Sequence, residues 1–240
     1  MNAFGITDKG KVRSANQDAY RLSLSPDGEY VLAALCDGMG GGHGGEIASA
    51  VAADSFMQYA EDMLRREPKS DAAQILREAA AYANLKVYDR AFRDESCRGM
   101  GTTLVAALVR PEDAAVVNSR CYWLADAQLQ QVTRDHSLVQ SMVDRGLITE
   151  DEARSHPRKN VIMRAVGLER TIRSDIFRLD IRPGDALLLC SDGLSNLVDA
   201  GEMESLLLAS LDDDAVCREL LRMALDRGAP DNVTLALVRR

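Results

Sequence analysis

Short apolar runs rich in β-branched residues recur along the whole 240-residue chain, and they constrain the fold more than any other feature. Such runs, bounded by turn-forming residues, are typical of β-strands. We predict ten strands, at residues 3–7, 19–24, 30–36, 102–109, 114–117, 121–125, 128–133, 175–179, 186–190 and 233–238.

Apolar residues at helical spacing mark longer segments, which come mostly in groups rather than one after each strand. We predict helices at residues 46–65, 71–92 and 213–227, and shorter ones at 138–145 and 149–155. Strands separated by paired helices indicate antiparallel sheets covered by helices, and ten strands are more than one covered sheet easily holds. The sequence therefore predicts an α+β fold, a two-sheet sandwich flanked by helices.

No linker rich in Pro, Gly or Ser, no low-complexity tract and no internal repeat divides the chain. We therefore predict a single domain that spans residues 1–240. A more polar helical stretch at residues 138–166 interrupts the series of strands and carries the basic residues Arg158, Lys159 and Arg164. We expect this stretch to form a small flap.

Charge and hydrophobicity exclude several classes of partner. The net charge of -8 and the pI near 5.0 argue against a nucleic-acid or anionic-membrane binder. The N-terminus lacks the apolar core of a signal peptide, and no apolar run approaches the ~20 residues that span a bilayer. We expect a cytoplasmic protein, and the five widely spaced cysteines in apolar runs should be reduced core residues.

Three aspartates stand at the ends of apolar runs. Asp37 and Asp192 each follow a predicted strand, and Asp231 precedes the last one. Taken singly, each is explained as a turn or helix-cap residue. Carboxylates that converge within about 4 Å repel one another by roughly 4 kcal/mol per pair at an effective dielectric constant of ~20, so a cluster requires cations. Oxygen-only ligands favour Mg²⁺ or Mn²⁺ over Zn²⁺. Together, the three aspartates indicate a metal centre.

Five motifs occur in a specific order along nearly the whole chain, and together they carry a family resemblance. They are Arg13-x-x-Asn16-Gln17-Asp18, Asp37-Gly38-Met39-Gly40-Gly41, Met100-Gly101-Thr102-Thr103, Ser191-Asp192-Gly193-Leu194 and Asp231-Asn232-Val233-Thr234. The sequence resembles the metal-dependent type 2C protein serine/threonine phosphatases of the bacterial single-domain type. The resemblance implies a four-layer α-β-β-α sandwich of two antiparallel sheets flanked by helix pairs, with two Mn²⁺ or Mg²⁺ ions in the cleft between the sheet ends.

The resemblance also implies a metal-ligand set. Asp37 would bridge the two ions, and the backbone carbonyl of Gly38 would join the second ion. Asp192 and Asp231 would complete the protein ligands of the first ion.

Two further residues acquire catalytic roles from the resemblance. Asp18 would hold metal-bound water, and Arg13 would bind the substrate phosphate, a role that suits a planar and permanently charged guanidinium. The implied reaction is hydrolysis of phosphoserine and phosphothreonine by a metal-activated bridging hydroxide. The implied partners are phosphorylated proteins and an opposing Ser/Thr kinase, and we expect a monomer.

Two departures from the family pattern affect the predicted chemistry. Asn118 stands where the family usually carries an aspartate, so a third and looser metal site at Asn118 and Asp192 would be weakened. His43 lies one position later than the usual histidine, which makes a general-acid role or an exposed loop histidine open alternatives. An alternative function follows from Asn118 alone: a catalytically weakened phosphatase-fold module that binds or senses its partner.

Overall fold

The computed structural model describes residues 1–40, 44–118, 120–158, 161–209 and 212–240. The candidate general acid His43 and the basic flap residue Lys159 lie outside the described residues. The strands are β1 (Asn2–Asp8), β2 (Asp18–Leu24), β3 (Val31–Met39), β4 (Gly101–Thr102), β5 (Val105–Val109), β6 (Ala114–Asn118), β7 (Cys121–Ala125), β8 (Gln128–Gln131), β9 (Ile176–Leu179), β10 (Ala186–Cys190) and β11 (Val233–Arg239). The helices are α1 (Gly44–Arg66), α2 (Ala72–Arg93), α3 (Leu138–Asp144), α4 (Glu150–Ser155), α5 (Asp192–Ser195), α6 (Ala200–Ala209) and α7 (Asp213–Asp226).

The strands form two antiparallel sheets. One sheet has the strand order β1-β11-β10-β7-β8. The other has the order β2-β3-β5-β6-β9, and β4 pairs with β3 beside it. Every strand pair in both sheets is antiparallel, which confirms the predicted sheet type.

Alternation of side chains along the strands places apolar residues on both faces of each sheet. In β3, Val31 and Leu35 face the core between the two sheets, whereas Leu32 and Cys36 belong to the core under α1 and α2. Phe56 of α1 is fully buried in that outer core. Helices α6 and α7 cover the other sheet through a third core. The predicted four-layer α-β-β-α sandwich is confirmed.

The prediction of one strand at residues 102–109 is wrong, because this segment forms two separate strands, β4 and β5. The Thr102 hydroxyl donates to the Asp37 carbonyl at 2.9 Å, and the Thr103 N–H donates to the same carbonyl at 2.8 Å. The Asp37 N–H in turn donates to the Thr103 hydroxyl at 3.0 Å. The hydroxyls of Thr102 and Thr103 thus replace part of the hydrogen bonding between strands at Asp37, and they hold both its carbonyl and its N–H.

Helix α6 has no counterpart among the predicted helices. Its start is capped reciprocally, since the Glu202 N–H donates to Asp199 Oδ1 at 2.9 Å and the Asp199 N–H donates to Glu202 Oε2 at 3.2 Å. This capping pair was a usable signal. The three consecutive leucines at 206–208 obscure the helical period, which is why the helix escapes prediction.

The predicted flap contains α3 and α4, and its two ends lie side by side. The Leu138 N–H donates to the Val161 carbonyl at 2.8 Å, and the Met163 N–H donates to the His136 carbonyl at 2.7 Å. Val166 then forms an isolated bridge with Thr102 of β4. The flap is therefore attached to β4, the strand whose Thr102 bonds the backbone of Asp37.

Two further expectations concern the cysteines and membrane insertion. All five cysteines are free and buried, which confirms their assignment to the core. Within the described residues, no helix has the length and apolar character needed to span a bilayer.

Candidate active site

Strand pairing brings two of the predicted acids together in one sheet. Asp18 opens β2 and lies directly opposite Asp37 of β3 in the antiparallel register. The Gly38 N–H donates to the Gln17 carbonyl at 3.0 Å, which extends the contact past the start of β2. Both carboxylates therefore sit at the same end of the sheet.

Gly38 lies where no side chain fits. A Cβ atom there would lie 2.1 Å from the Gly45 carbonyl oxygen and 2.5 Å from that of Gln17. The absence of a side chain lets the first turn of α1 and the chain entering β2 pack directly against β3. The predicted ligand carbonyl of Gly38 is thus held within a rigid backbone layer.

The other two acids come together in the second sheet. Asp192 follows β10 and Asp231 precedes β11, which are neighbouring strands. The Ser191 N–H donates to the Thr234 carbonyl at 2.9 Å, and the Thr234 N–H donates to the Ser191 hydroxyl at 3.0 Å. A Cβ atom on Gly193 would lie 1.9 Å from the Asn232 carbonyl oxygen, so the chain beside Asp192 packs directly on the chain beside Asp231.

Asn232 organises the loop that carries Arg13. The Asn232 side chain is 5% exposed and donates to the carbonyls of Lys9 and Ala15 at 2.9 and 3.0 Å. It also accepts from the Gln17 N–H at 2.8 Å. This role was missed from the sequence, where the only signal was an amide residue between Asp231 and an apolar run.

Arg13 is held by this loop at the edge of the acidic cluster. Its Nη2 donates to Asp231 Oδ2 at 2.7 Å, while the Arg13 side chain remains 55% exposed. The hydrogen bond and charge of Asp231, with smaller effects from Asp37 and Asp192, raise the pKa of Arg13 above its ordinary value. The guanidinium can therefore reach a ligand that approaches from solvent.

The four carboxylates interact electrostatically across the two sheets. Burial, and then the charges of Asp18, Asp192 and Asp231, raise the pKa of Asp37 well above its ordinary value. Burial, together with Asp192 and Asp231, also raises the pKa of Asp18 to about 6, against the hydrogen bond from Thr234. That hydroxyl donates to Asp18 Oδ2 at 2.6 Å, whereas Asp18 Oδ1 is buried without a hydrogen-bond partner. The cluster holds more negative charge than its protein surroundings neutralise.

The chemistry of this donor set fits hard divalent cations. Every side-chain donor in the cluster is an oxygen, and repulsion among the acids would be relieved by cations. As the side chains stand, no three His, Cys, Asp or Glu residues in the described ranges are grouped closely enough to hold an ion. Arg13 donates to one oxygen of Asp231, and Thr234 donates to one oxygen of Asp18.

Asn118 ends β6 in a left-handed conformation, with φ of 57°. Asparagine tolerates this region better than most residues do. The residue is 6% exposed. Its Oδ1 accepts from the Asp175 N–H at 3.2 Å, and its backbone N–H donates to the Asp175 carbonyl at 2.9 Å. Asn118 therefore ties β6 to the segment before β9, and its amide oxygen already has a donor.

A cavity of about 790 Å³ connects the acidic cluster with the flap. Asp37 and Asp192 line one part of it, and Val139 and Val143 of α3 line another. Its volume lies within the range of roughly 300–1,000 Å³ that is typical of ligand sites. The cavity has room for a phosphorylated side chain and the residues next to it.

Comparisons with known proteins place this geometry among phosphatases. A family model described as protein phosphatase 2C matches residues 9–236. The serine/threonine phosphatase Stp of Listeria monocytogenes is 33% identical over 243 residues, covering 100% of this chain and 96% of that protein. The crystal structure of the serine/threonine phosphatase PstP of Mycobacterium tuberculosis matches with a TM-score of 0.86 and 34% identity, covering 98% of this chain and 97% of that one. The catalytic domain of PstP in complex with two manganese ions matches with a TM-score of 0.83 and 33% identity, covering 98% and 96%.

Proposed function

The chain belongs to the protein phosphatase 2C family and is a metal-dependent protein serine/threonine phosphatase, and we propose that its four clustered aspartates and Arg13 form the catalytic site. The observation that carries this proposal is the placement of the acids: Asp18 lies opposite Asp37 in one sheet, and Asp192 and Asp231 lie at the ends of neighbouring strands of the other. The charges of Asp192 and Asp231 raise the pKa of both Asp18 and Asp37. The cavity beside them supplies access for a phosphorylated side chain.

Three of these aspartates and one carbonyl would hold two Mn²⁺ or Mg²⁺ ions. Asp37 would contact both ions, Asp192 and Asp231 would bind the first, and the carbonyl of Gly38 would bind the second. Bound divalent ions acidify a coordinated water, which can then attack phosphorus near neutral pH, and they offset charge on the phosphoryl oxygens. The PstP catalytic domain with two manganese ions supports this choice of metal and number.

Arg13 and Asp18 would act around the metals. Arg13 would bind two oxygens of the phosphoryl group through its planar fork and hold phosphorus in line for attack. Asp18, anchored through Thr234, would orient the attacking water by accepting a hydrogen bond from it. Neither role requires a protein nucleophile.

The decisive experiment measures phosphate release from a phosphothreonine peptide and from a small aryl phosphate with Mn²⁺ present. Exhaustive EDTA treatment should abolish both activities, and added Mn²⁺ should restore them, because the proposed ligands are all hard oxygens. Activity that survives chelation would contradict the proposed site. The alternative of a catalytically weakened binding module predicts no turnover in this assay, and the relatives, which are named as phosphatases, give it no support.

We also propose a cellular setting for this activity. Its substrates would be cytoplasmic phosphoproteins involved in signalling, and a Ser/Thr kinase would oppose it. We propose that the enzyme acts as a monomer with the flap at residues 138–166 as part of its single domain. Both sheets contribute acids to the cluster, so one copy of the chain supplies all the proposed catalytic residues.

Replacing Arg13 with alanine should raise KM for a phosphothreonine peptide about tenfold and change kcat less, because phosphate binding is lost while the metal ligands remain. Steady-state kinetics would measure both constants. Arg13→Lys is the matched control, since it keeps the charge but loses the bidentate fork, and it should fall between wild type and Arg13→Ala. An unchanged KM in Arg13→Ala would remove Arg13 from the phosphate site.

Replacing Asn118 with aspartate should raise kcat and lower the Mn²⁺ concentration that gives half-maximal rate. Aspartate keeps an acceptor for the Asp175 N–H and tolerates the same left-handed backbone, but it adds the charge that a third ion requires. A Mn²⁺ titration of activity tests this. If both quantities stay unchanged in a variant that unfolds at the wild-type temperature, the third site is irrelevant in this protein.

A further inference from the structure

The flap side of the cavity carries two arginines and a histidine around one carboxylate. Asp175 Oδ2 contacts His136 Nε2 at 2.7 Å and accepts from Arg164 Nη1 at 3.1 Å. Although partial burial opposes the shift, His136, Arg164 and Arg173 together lower the pKa of Asp175. All three of these basic residues line the cavity.

One carboxylate does not neutralise this cluster. Arg134, which lies next to the ion-paired Asp135, is a further cavity-lining arginine. In the described part of the chain, no carboxylate lies within ion-pair distance of Arg134 or Arg173, and both side chains are exposed. The flap side of the cavity therefore offers two guanidinium groups whose charge an incoming anion could balance.

This excess positive charge and the proposed metal site belong to the same cavity. Asp37 and Asp192 line the same cavity, so a substrate that places its phosphate there extends its neighbouring residues toward the arginines. An extended chain advances about 3.3–3.6 Å per residue, so a few residues span a site of this size. Arginine forks match the geometry of both carboxylates and phosphates.

We propose that Arg134, Arg164 and Arg173 form a subsite for an acidic group close in sequence to the phosphorylated serine or threonine of the substrate. The acidic group would be a carboxylate side chain or a second phosphate within about three residues of the first. This inference rests on the proposed function and adds a substrate class to it: phosphoproteins whose target residue is flanked by acidic groups.

The test starts from a phosphothreonine peptide whose flanking residues are neutral. In a first set of variants, each peptide carries a single glutamate at one of the three positions before or the three positions after the phosphothreonine. A second set carries phosphoserine at the same positions, which separates the two sources of negative charge. For the wild-type protein with Mn²⁺, kcat/KM should be roughly fivefold higher for at least one acidic position than for the neutral peptide. The preference should weaken as salt is added, because the arginines are exposed.

Arg173→Gln should reduce the ratio of kcat/KM for the acidic and neutral peptides to about twofold or less, since it removes an exposed guanidinium that has no carboxylate of the described residues at ion-pair distance. Arg170→Gln is the matched control: it makes the same charge change three residues earlier, on an exposed side chain that does not line the cavity. It should keep the full preference. Equal preferences in wild type and Arg173→Gln, or an equal loss in both variants, would overturn the subsite.

Failure of the subsite is distinguishable from failure of the proposed function. If the wild type hydrolyses neither the neutral phosphopeptide nor an aryl phosphate with Mn²⁺, the catalytic proposal fails and the subsite fails with it. If both are hydrolysed and no acidic position is favoured, only the subsite is overturned.

Discussion

Replacing Asp192 with alanine should lower activity on a phosphothreonine peptide by at least about 100-fold, since even residues that only support metal ligands cost 10–100-fold when removed. Asp231→Ala should have an effect of the same order. Each substitution removes a carboxylate from the cluster, so fewer charged oxygens remain to bind the cations. Mn²⁺ affinity should fall together with activity.

Isothermal titration with Mn²⁺ would measure that affinity independently of turnover. Asp180→Ala is the matched control, because the Asp180 side chain is 89% exposed and lies just beyond β9, where it should not affect the metals. An Asp192→Ala protein that binds Mn²⁺ as tightly as wild type would show that Asp192 is not a ligand. A loss of binding in Asp180→Ala as well would point to a general charge effect instead.

Much of the architecture was predictable because strand periodicity and strand ends are local properties. The apolar runs predicted the two sheets, and the acids at the ends of those runs indicated a metal centre at Asp37, Asp192 and Asp231, which stays a prediction. The runs and the acids at their ends can be located without knowledge of which strands are neighbours. The roles of Arg13 and Asp18, by contrast, came from the family resemblance, since nothing local to either residue indicates its chemistry.

Contacts between distant segments were not predictable in the same way. Asn232 bonds a loop more than 200 residues earlier in the chain, and Thr102 with Thr103 interrupts a strand in order to hold Asp37. Asn118 shows a related limit, because its left-handed backbone and its bond to Asp175 give it a structural role that the comparison with an aspartate motif does not reveal. In each case a polar side chain satisfies backbone groups of another segment, and sequence pattern does not record the partner.

Close contacts between backbone segments also explain why two positions in the motifs are glycines. Gly38 and Gly193 lie beside the acids Asp37 and Asp192, and at each of them a Cβ atom would overlap a backbone carbonyl oxygen of another segment. The acids approach one another because the backbones that carry them are packed without side chains between them. Both glycines therefore act on the proposed catalytic site through packing.

Replacing Gly193 with alanine should separate the backbones that carry Asp192 and Asp231. Its Cβ would lie 1.9 Å from the Asn232 carbonyl oxygen, and because that atom belongs to the backbone, the overlap cannot be relieved by a side-chain rotation. We expect the free energy of unfolding to fall by about 1–3 kcal/mol, as overpacking of a close contact does. A displacement of about 1 Å between catalytic groups should also lower kcat/KM by roughly 100-fold.

Urea denaturation and phosphopeptide kinetics would measure the two effects in the same preparation. Gly201→Ala is the matched control, since the closest atom to its Cβ would be Asp199 Oδ1 at 3.3 Å, which belongs to a side chain that can rotate and not to the backbone, and the residue lies in the first turn of helix α6. That variant should keep full activity and lose less stability than Gly193→Ala. A Gly193→Ala protein with wild-type activity and Mn²⁺ affinity would show that the acids do not depend on this backbone contact, and that their approach is set by the strand pairing of β10 and β11 alone.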